Sequence, residues 1–169
     1  MSINDQRSIY IGLGANLQSS IGAPRQTIEA ALSLLSFEVR IVQRSRFWRT
    51  RPVPVSDQPW FVNSVAEIET ELSVDDLLNL LHSFEKYFGR KRYGVNAERV
   101  LDLDLLTYKN IIQDTSPRSL VPHPRMHERA FVLLPIMDIA PMWIHPRTGD
   151  TLDLMIATLS SDQQCIPCE

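Results

Sequence analysis

The sequence is short of most features that announce a function. Its only cysteines, Cys165 and Cys168, form one C-x-x-C in a polar tail. Zinc would need two further ligands and a redox pair usually opens a helix beside a strand, so the pair alone marks no site. No apolar run approaches the roughly 20 residues of a membrane span, and the N-terminal MSINDQRS lacks the basic-then-apolar layout of a signal peptide. These absences predict a cytoplasmic protein without membrane contact. G-K-[ST] occurs nowhere, and neither does H-R-D or D-F-G, which excludes the P-loop and protein-kinase solutions to phosphate binding. GLGANL, from Gly12, lacks the third glycine of a dinucleotide fingerprint, with Leu17 in its place, and reads as a turn after a strand. There is no internal repeat, low-complexity tract or linker, so residues 1–169 are read as one domain.

Charge is also scarce in net terms. A balance of -3 argues against a general nucleic-acid binder. The cations are nonetheless clustered, in RSRFWRTR (Arg44–Arg51) and RKRYGVNAER (Arg90–Arg99), and such local positive fields suit a small anionic ligand.

What is present is a regular alternation of elements. Ser8–Leu13 is a short apolar strand running into Gly12, Gly14 and Asn16; Pro24 opens a helix whose Ile28, Ala31, Leu32 and Leu35 recur at helical spacing. A second strand is predicted over Glu38–Phe47, and the proline-rich RPVPVSDQPW is a loop. Phe61–Glu71 alternates as a strand with two unlike faces. Ser73 caps a helix with Asp75 and Asp76 in its first turn, and Gly89 ends it. After the loop Arg90–Val100 comes RVLDLDLLTY, then a Lys109-Asn110 turn with a short returning strand through Ile111 and Ile112, and finally an apolar helix from Glu128 to Ile139 containing Pro135. This order predicts a split βαβ arrangement, an antiparallel sheet with helices on one face and the other face left open.

Within RVLDLDLLTY, Asp102 and Asp104 share one face of an extended chain while Leu101, Leu103 and Leu105 share the other. Two like charges about 7 Å apart on one strand face repel unless something positive lies between them. One reading is a solvated sheet face; the other is a pair of magnesium ligands. Magnesium uses one or two carboxylates and fills its octahedron with water and substrate phosphate oxygens, which arginines can clamp. Arg90, Lys91, Arg92 and Arg99 sit in the loop feeding that strand, and Glu85 lies in the last turn of the preceding helix. His123 is equally compatible with a plain loop residue, and Phe61 and Phe131 with core packing.

Four segments together resemble a known family: YIGLGANL, DQPWFVNSVAEIET, RVLDLDLL and VPHPRMHERAFVLLPIMDIAP, in register from about Tyr10 to Pro141, are similar to 6-hydroxymethyl-7,8-dihydropterin pyrophosphokinases of folate synthesis. The resemblance implies an α+β, ferredoxin-like sandwich, an antiparallel sheet with helices packed on it. It implies ATP and the hydroxymethyl dihydropterin as substrates, two Mg2+ ions, a monomer, and transfer of pyrophosphate with release of AMP. By resemblance Asp102 and Asp104 hold the metals. Arg90, Arg92, Arg99, Arg118, His123 and Arg129 contact the triphosphate, with Arg90 and Arg99 as catalytic clamps and Glu85 as a helix acid of the nucleotide site. Phe61 and Phe131 stack on the pterin, Asn63 reads its edge, and Thr50 and Val53 complete the pocket. The chain departs from the family pattern where many members read Trp-Gly-Pro-Arg, having Asn96-Ala97-Glu98-Arg99 instead.

Two other classes share such a fold. An RNA-binding module would need aromatic residues on its open sheet face, where this chain has Asp102 and Asp104. A ligand-sensing or nucleotide-binding domain without catalysis would need neither the D-x-D pair nor the arginine-rich loop.

Overall fold

The structure, a computed structural model, describes residues 8–90, 98–116 and 119–168. Its sheet has six strands. Strand β1 (Ile9–Ala15) is central, pairing antiparallel with β4 (Phe61–Glu69) on one side and β5 (Asp102–Tyr108) on the other. Beyond β4 lies one lane in two pieces: β2 (Arg40–Arg44) pairs with its C-terminal half and β3 (Trp48–Thr50) with its N-terminal end. The single strand predicted over residues 38–47 ends at Arg44, because at Ser45 the amide still donates to Val65 O at 2.9 Å but the side chain takes over the return bond. The Ser45 hydroxyl accepts the Val65 amide and lies 3.0 Å from that of Ser64. A sixth strand, β6 (Cys165–Pro167), adds to the free edge of β3, so the C-x-x-C tail is part of the sheet.

Helices α1 (Pro24–Leu35) and α2 (Val74–Tyr87) follow from their end signals. Pro24 occupies the first turn of α1, and the Gln26 side chain reaches back to the Ala23 amide at 2.9 Å. The Ser73 hydroxyl accepts the Asp76 amide at 3.1 Å, and Gly89, at φ +86°, turns the chain out of α2. Both helices pack on one sheet face, where Ile28, Leu35, Leu77 and Leu81 meet Ile9, Ile11, Leu13, Ile68, Leu103 and Leu105. Each fully buried leucine there is worth about 1.5–3 kcal/mol of transfer free energy.

The other face is not left open, as the sequence reading had it. Helix α3 (Ala130–Ile139), entered through a single 3-10 turn at Met126–Glu128, and α4 (Leu152–Ala157) cover half of it. Met126, Val132, Leu133, Ile136, Leu152 and Met155 pack there on Tyr10, Val65 and Leu106. The apolar helix expected over Glu128–Ile139 is α3; that it packs on the sheet face expected to be open is not announced by its sequence, and α4, six residues long, carries too little pattern to show it either. The returning strand at Ile111–Ile112 does not form: both side chains are exposed, Ile111 N closes a turn on Tyr108 O, and only an isolated bridge joins Gln113 to Val121. Among the described residues no helix is long and apolar enough to cross a membrane.

Candidate active site

The half of the second face that α3 and α4 leave uncovered is a cavity of about 720 Å3. Asp102 and Asp104 form part of its lining. Their cross-strand partners on β1 are Gly14 and Gly12. These glycines lie inside the strand rather than in a turn after it, a correction with a physical reason: neither carries a side chain opposite its carboxylate, and at Gly12 the room is taken by the Leu106 side chain, 3.5 Å from an added Cβ. At Gly14 it is taken by Asn63, whose Oδ1 would lie 2.8 Å from any added Cβ.

The carboxylates sit in a net of cations. Arg99 hydrogen-bonds Asp102 Oδ2. Arg90 Nη1 lies 2.8 Å from Asp102 Oδ1 without aiming an N–H at it, so that oxygen is buried and accepts no hydrogen bond among the described residues. Arg129 is 3.7 Å from Asp104 Oδ2. Asp104 is one-third exposed within the cavity lining, yet withdrawal from bulk water, and then repulsion from Asp102, raise its pKa to about 6. Asp104, with Arg129 no nearer than 3.7 Å, is the carboxylate that favours a cation from outside the chain.

Glu85 stands behind this net rather than in the cavity lining. Its carboxylate accepts the Leu103 amide at 2.8 Å and is paired with Arg90, tying α2 to β5 between the two aspartates. Burial raises its pKa to about 7 against the opposing pull of the Leu103 amide and Arg90. Arg99 is fixed through its backbone by Asn16, whose Oδ1 accepts the Arg99 amide at 2.8 Å and whose backbone amide donates to Arg99 O at 2.9 Å. The Asn16 side chain also donates to Pro59 O at 3.1 Å, so one buried amide joins the arginine segment to the proline-rich loop.

His123 is outside the cavity lining. Its amide donates to Leu106 O at 2.7 Å, and its Nδ1 accepts the Arg125 amide at 3.1 Å, leaving Nε2 to carry the proton of the neutral ring. Burial, then Arg129, lowers its pKa to about 4, so at neutral pH the ring is a hydrogen-bond donor and not a cation.

The opposite end of the cavity is flatter and less charged. Phe61 opens β4 and Phe131 stands on the first turn of α3; both line the space, with Asn63, Thr50 and Val53. Asn63 Nδ2 donates to Thr50 Oγ1 at 2.7 Å, which fixes the amide plane of a buried side chain. The Arg129 guanidinium lies 5.4 Å from the Phe131 ring centre, at the junction of the two ends.

The structure thus gathers Thr50, Val53, Phe61, Asn63, Arg99, Asp102, Asp104, Arg129 and Phe131 around one cavity, with Arg90, Glu85 and His123 behind or beside it. Arg92 and Arg118 fall outside the described residues. Sequence reasoning missed Asn16, Gly14, Arg125, His127 and Gln163. Arg125 and His127 stood in a quoted motif and could have been found, whereas Gln163 carries no local signal.

Such a site, with paired carboxylates and arginines at one end and a flat aromatic slot with a fixed amide at the other, belongs to a transferase of phosphate groups acting on a planar heterocycle. Residues 10–141 match the family described as 7,8-dihydro-6-hydroxymethylpterin-pyrophosphokinase (HPPK). The chain belongs to this family. It is 42% identical over 149 residues to the 2-amino-4-hydroxy-6-hydroxymethyldihydropteridine pyrophosphokinase of Haemophilus influenzae, covering 86% of this chain and 89% of that one. With the enzyme of the same name from Pseudomonas aeruginosa it shares 42% identity over 135 residues, 79% of this chain and 80% of that one. A solved HPPK-DHPS in complex with substrates has the same fold, with a TM-score of 0.67 at 14% identity, covering 90% of this chain. This chain spans only 44% of that longer one.

Proposed function

We propose that the cavity is where this pyrophosphokinase of folate synthesis brings ATP and 6-hydroxymethyl-7,8-dihydropterin together. The pterin ring lies between Phe61 and Phe131, its edge paired with the Asn63 amide and closed off by Thr50 and the Val53 segment. The triphosphate lies over Asp102 and Asp104. The observation that carries this reading is one cavity lined by both aspartates with Arg99 and Arg129 and by Phe61, Phe131 and Asn63. A solvated surface pair would not share a cavity with an aromatic slot.

The donor set also fits magnesium. No group of three or more metal-ligating side chains exists among the described residues, and magnesium needs no such group, since two carboxylates with water and phosphate oxygens complete its shell. Asp102 and Asp104 would hold the two ions, which when bound neutralise charge on the triphosphate.

The chain's own residues do the rest. In the free enzyme Arg90 and Arg99 are partnered by Asp102. Arriving phosphate oxygens offer these guanidiniums a second anionic partner, so they turn from neutralising a carboxylate to clamping the groups in transfer. Arg129, beside both Asp104 and the Phe131 ring, spans the junction where the hydroxymethyl group meets the phosphates. Neutral His123 offers its Nε2–H as a hydrogen bond. The hydroxymethyl oxygen attacks the β-phosphorus in line and the bridging bond from that phosphorus to the α-phosphate oxygen breaks. AMP leaves with the bridging oxygen, and the hydroxyl proton passes to solvent. Catalysis is then positioning and charge complementarity, with no covalent enzyme intermediate. On this reading the enzyme works as a cytoplasmic monomer of one domain.

Phosphorus NMR of the protein with Mg-ATP and the pterin is the test. The expected result is AMP and a pterin diphosphate growing in equal amounts. Stoichiometric ADP with a pterin monophosphate, or binding without turnover as in a sensing domain, would overturn it.

A further inference from the structure

Helix α3 begins without a cap from its own segment: Arg129, at the N-cap position, makes no side-chain capping bond. The first amides of a helix have no partner within it and must find one elsewhere. Here the Ala130 amide donates to Gln163 Oε1 at 2.9 Å, while Gln163 Nε2 donates to the Glu128 carbonyl at 2.8 Å. One side-chain amide thus grips the backbone on both sides of Arg129. The segment carrying it is itself anchored, since the Arg51 amide donates to Gln164 O at 3.1 Å, Cys165–Pro167 pairs with β3, and the Cys168 amide donates to Phe47 O at 2.7 Å. The grip therefore joins two walls of the cavity: α3, with Arg129 and Phe131, and β3, with Thr50.

We propose that Gln163 is a positioning residue for the pterin, a helix cap supplied in trans by the C-terminal segment that sets where Phe131 and Arg129 stand relative to the Thr50–Asn63 wall. Both functions of the amide are used, its donor on the Glu128 carbonyl and its acceptor on the Ala130 amide, so its orientation is dictated and no single-function side chain can fully replace it. The inference rests on Phe131 stacking on the pterin, as proposed above.

The test compares Gln163→Ala, Gln163→Glu and Phe131→Ala in the full chain, by calorimetric titration with the oxidised 6-hydroxymethylpterin and by thermal melting. Gln163→Ala is expected to weaken pterin binding about tenfold, the scale of a lost cap, with a melting shift of about 2–4 °C or less. Gln163→Glu keeps an acceptor for Ala130 N but loses the donor to Glu128 O, and is expected to retain part of the affinity. A steady-state KM for the pterin that rises more than kcat falls would support positioning. Wild-type pterin affinity in Gln163→Ala, or a loss in Gln163→Glu as large as in Gln163→Ala, would overturn the inference. So would a large melting shift with unchanged affinity below the transition. If Phe131→Ala loses the pterin and Gln163→Ala does not, the clip alone is wrong; if Phe131→Ala binds normally, the stacking reading falls and takes this inference with it.

Discussion

The two faces of the sheet are built from the same strands to opposite ends. On one, Leu103 and Leu105 of β5, with Leu101 just before it, are buried in the core with α1 and α2, and nearly every position is filled by an aliphatic side chain. On the other, one residue along, Asp102 and Asp104 stand opposite Gly14 and Gly12 and line the cavity. The first face stores stability and has no chemistry. The second keeps like charges and a desolvated carboxylate, features that cost stability in the free protein and are explained only by what the cavity is to bind.

The largest effect should come from the charged face. Asp102→Asn or Asp104→Asn is expected to lower turnover at least about a thousandfold, since a neutral amide is a weak magnesium ligand and several kcal/mol of charge stabilisation are lost. Melting should show a fold that is intact or slightly stabilised, because one of two facing like charges is gone. Normal activity at limiting magnesium would contradict the metal assignment.

The converse holds for the aliphatic face. Leu77→Ala, at a fully buried position on α2, should cost about 2–5 kcal/mol in denaturant unfolding while the folded fraction keeps its substrate affinities. A selective loss of turnover there would break the division between the faces.

The layer covering the second face carries a pH liability of its own. His145 is buried beside Trp143 and His127, and its Nδ1 accepts the Arg147 and Thr148 amides at 3.3 Å. Burial, then His127, lowers its pKa from 6.5 to about 4. The folded ring stays neutral while the unfolded chain takes up a proton first, so its contribution is whole above about pH 6.5 and is lost as pH falls toward 4. The loss approaches about 2–3 kcal/mol. His145→Asn should flatten this acid limb in unfolding curves measured from about pH 7 to 4; an unchanged limb would show that His145 is not its source.

The smallest effect is expected at the glycine that makes the space. Gly14→Ala forces a Cβ against Asn63 Oδ1, and either the amide shifts or the strands part, at about 1–2 kcal/mol. Pterin affinity measured by calorimetry should fall with it. Unchanged affinity would mean that Asn63 does not read the ligand.

Much of this was legible in one dimension. The strand period placed Asp102 and Asp104 opposite three leucines, Ser73 and Gly89 bounded α2, and Pro24 opened α1, because caps and alternation are local rules obeyed wherever nothing overrides them. The motif around His123, Arg129 and Phe131 was visible for the same reason: its residues are neighbours in the chain. Cross-strand facts were not visible. That Gly12 and Gly14 lie inside β1 depends on β5 pairing beside it, more than eighty residues away in the chain, and in isolation two glycines near an asparagine read as a turn. That α4 closes half of the second face depends on Leu152 and Met155 finding a partner surface, which a helix of six residues does not announce. The sequence by itself thus determined which residues could bear the chemistry and on which face of their own strand they would stand, since backbone stereochemistry settles both. Only the tertiary structure decided that glycines stand opposite the aspartates, that Arg90 and Arg99 converge on Asp102, and that Gln163 caps a helix it does not belong to, because each of these is a contact between segments whose meeting is set by the packing of the whole core.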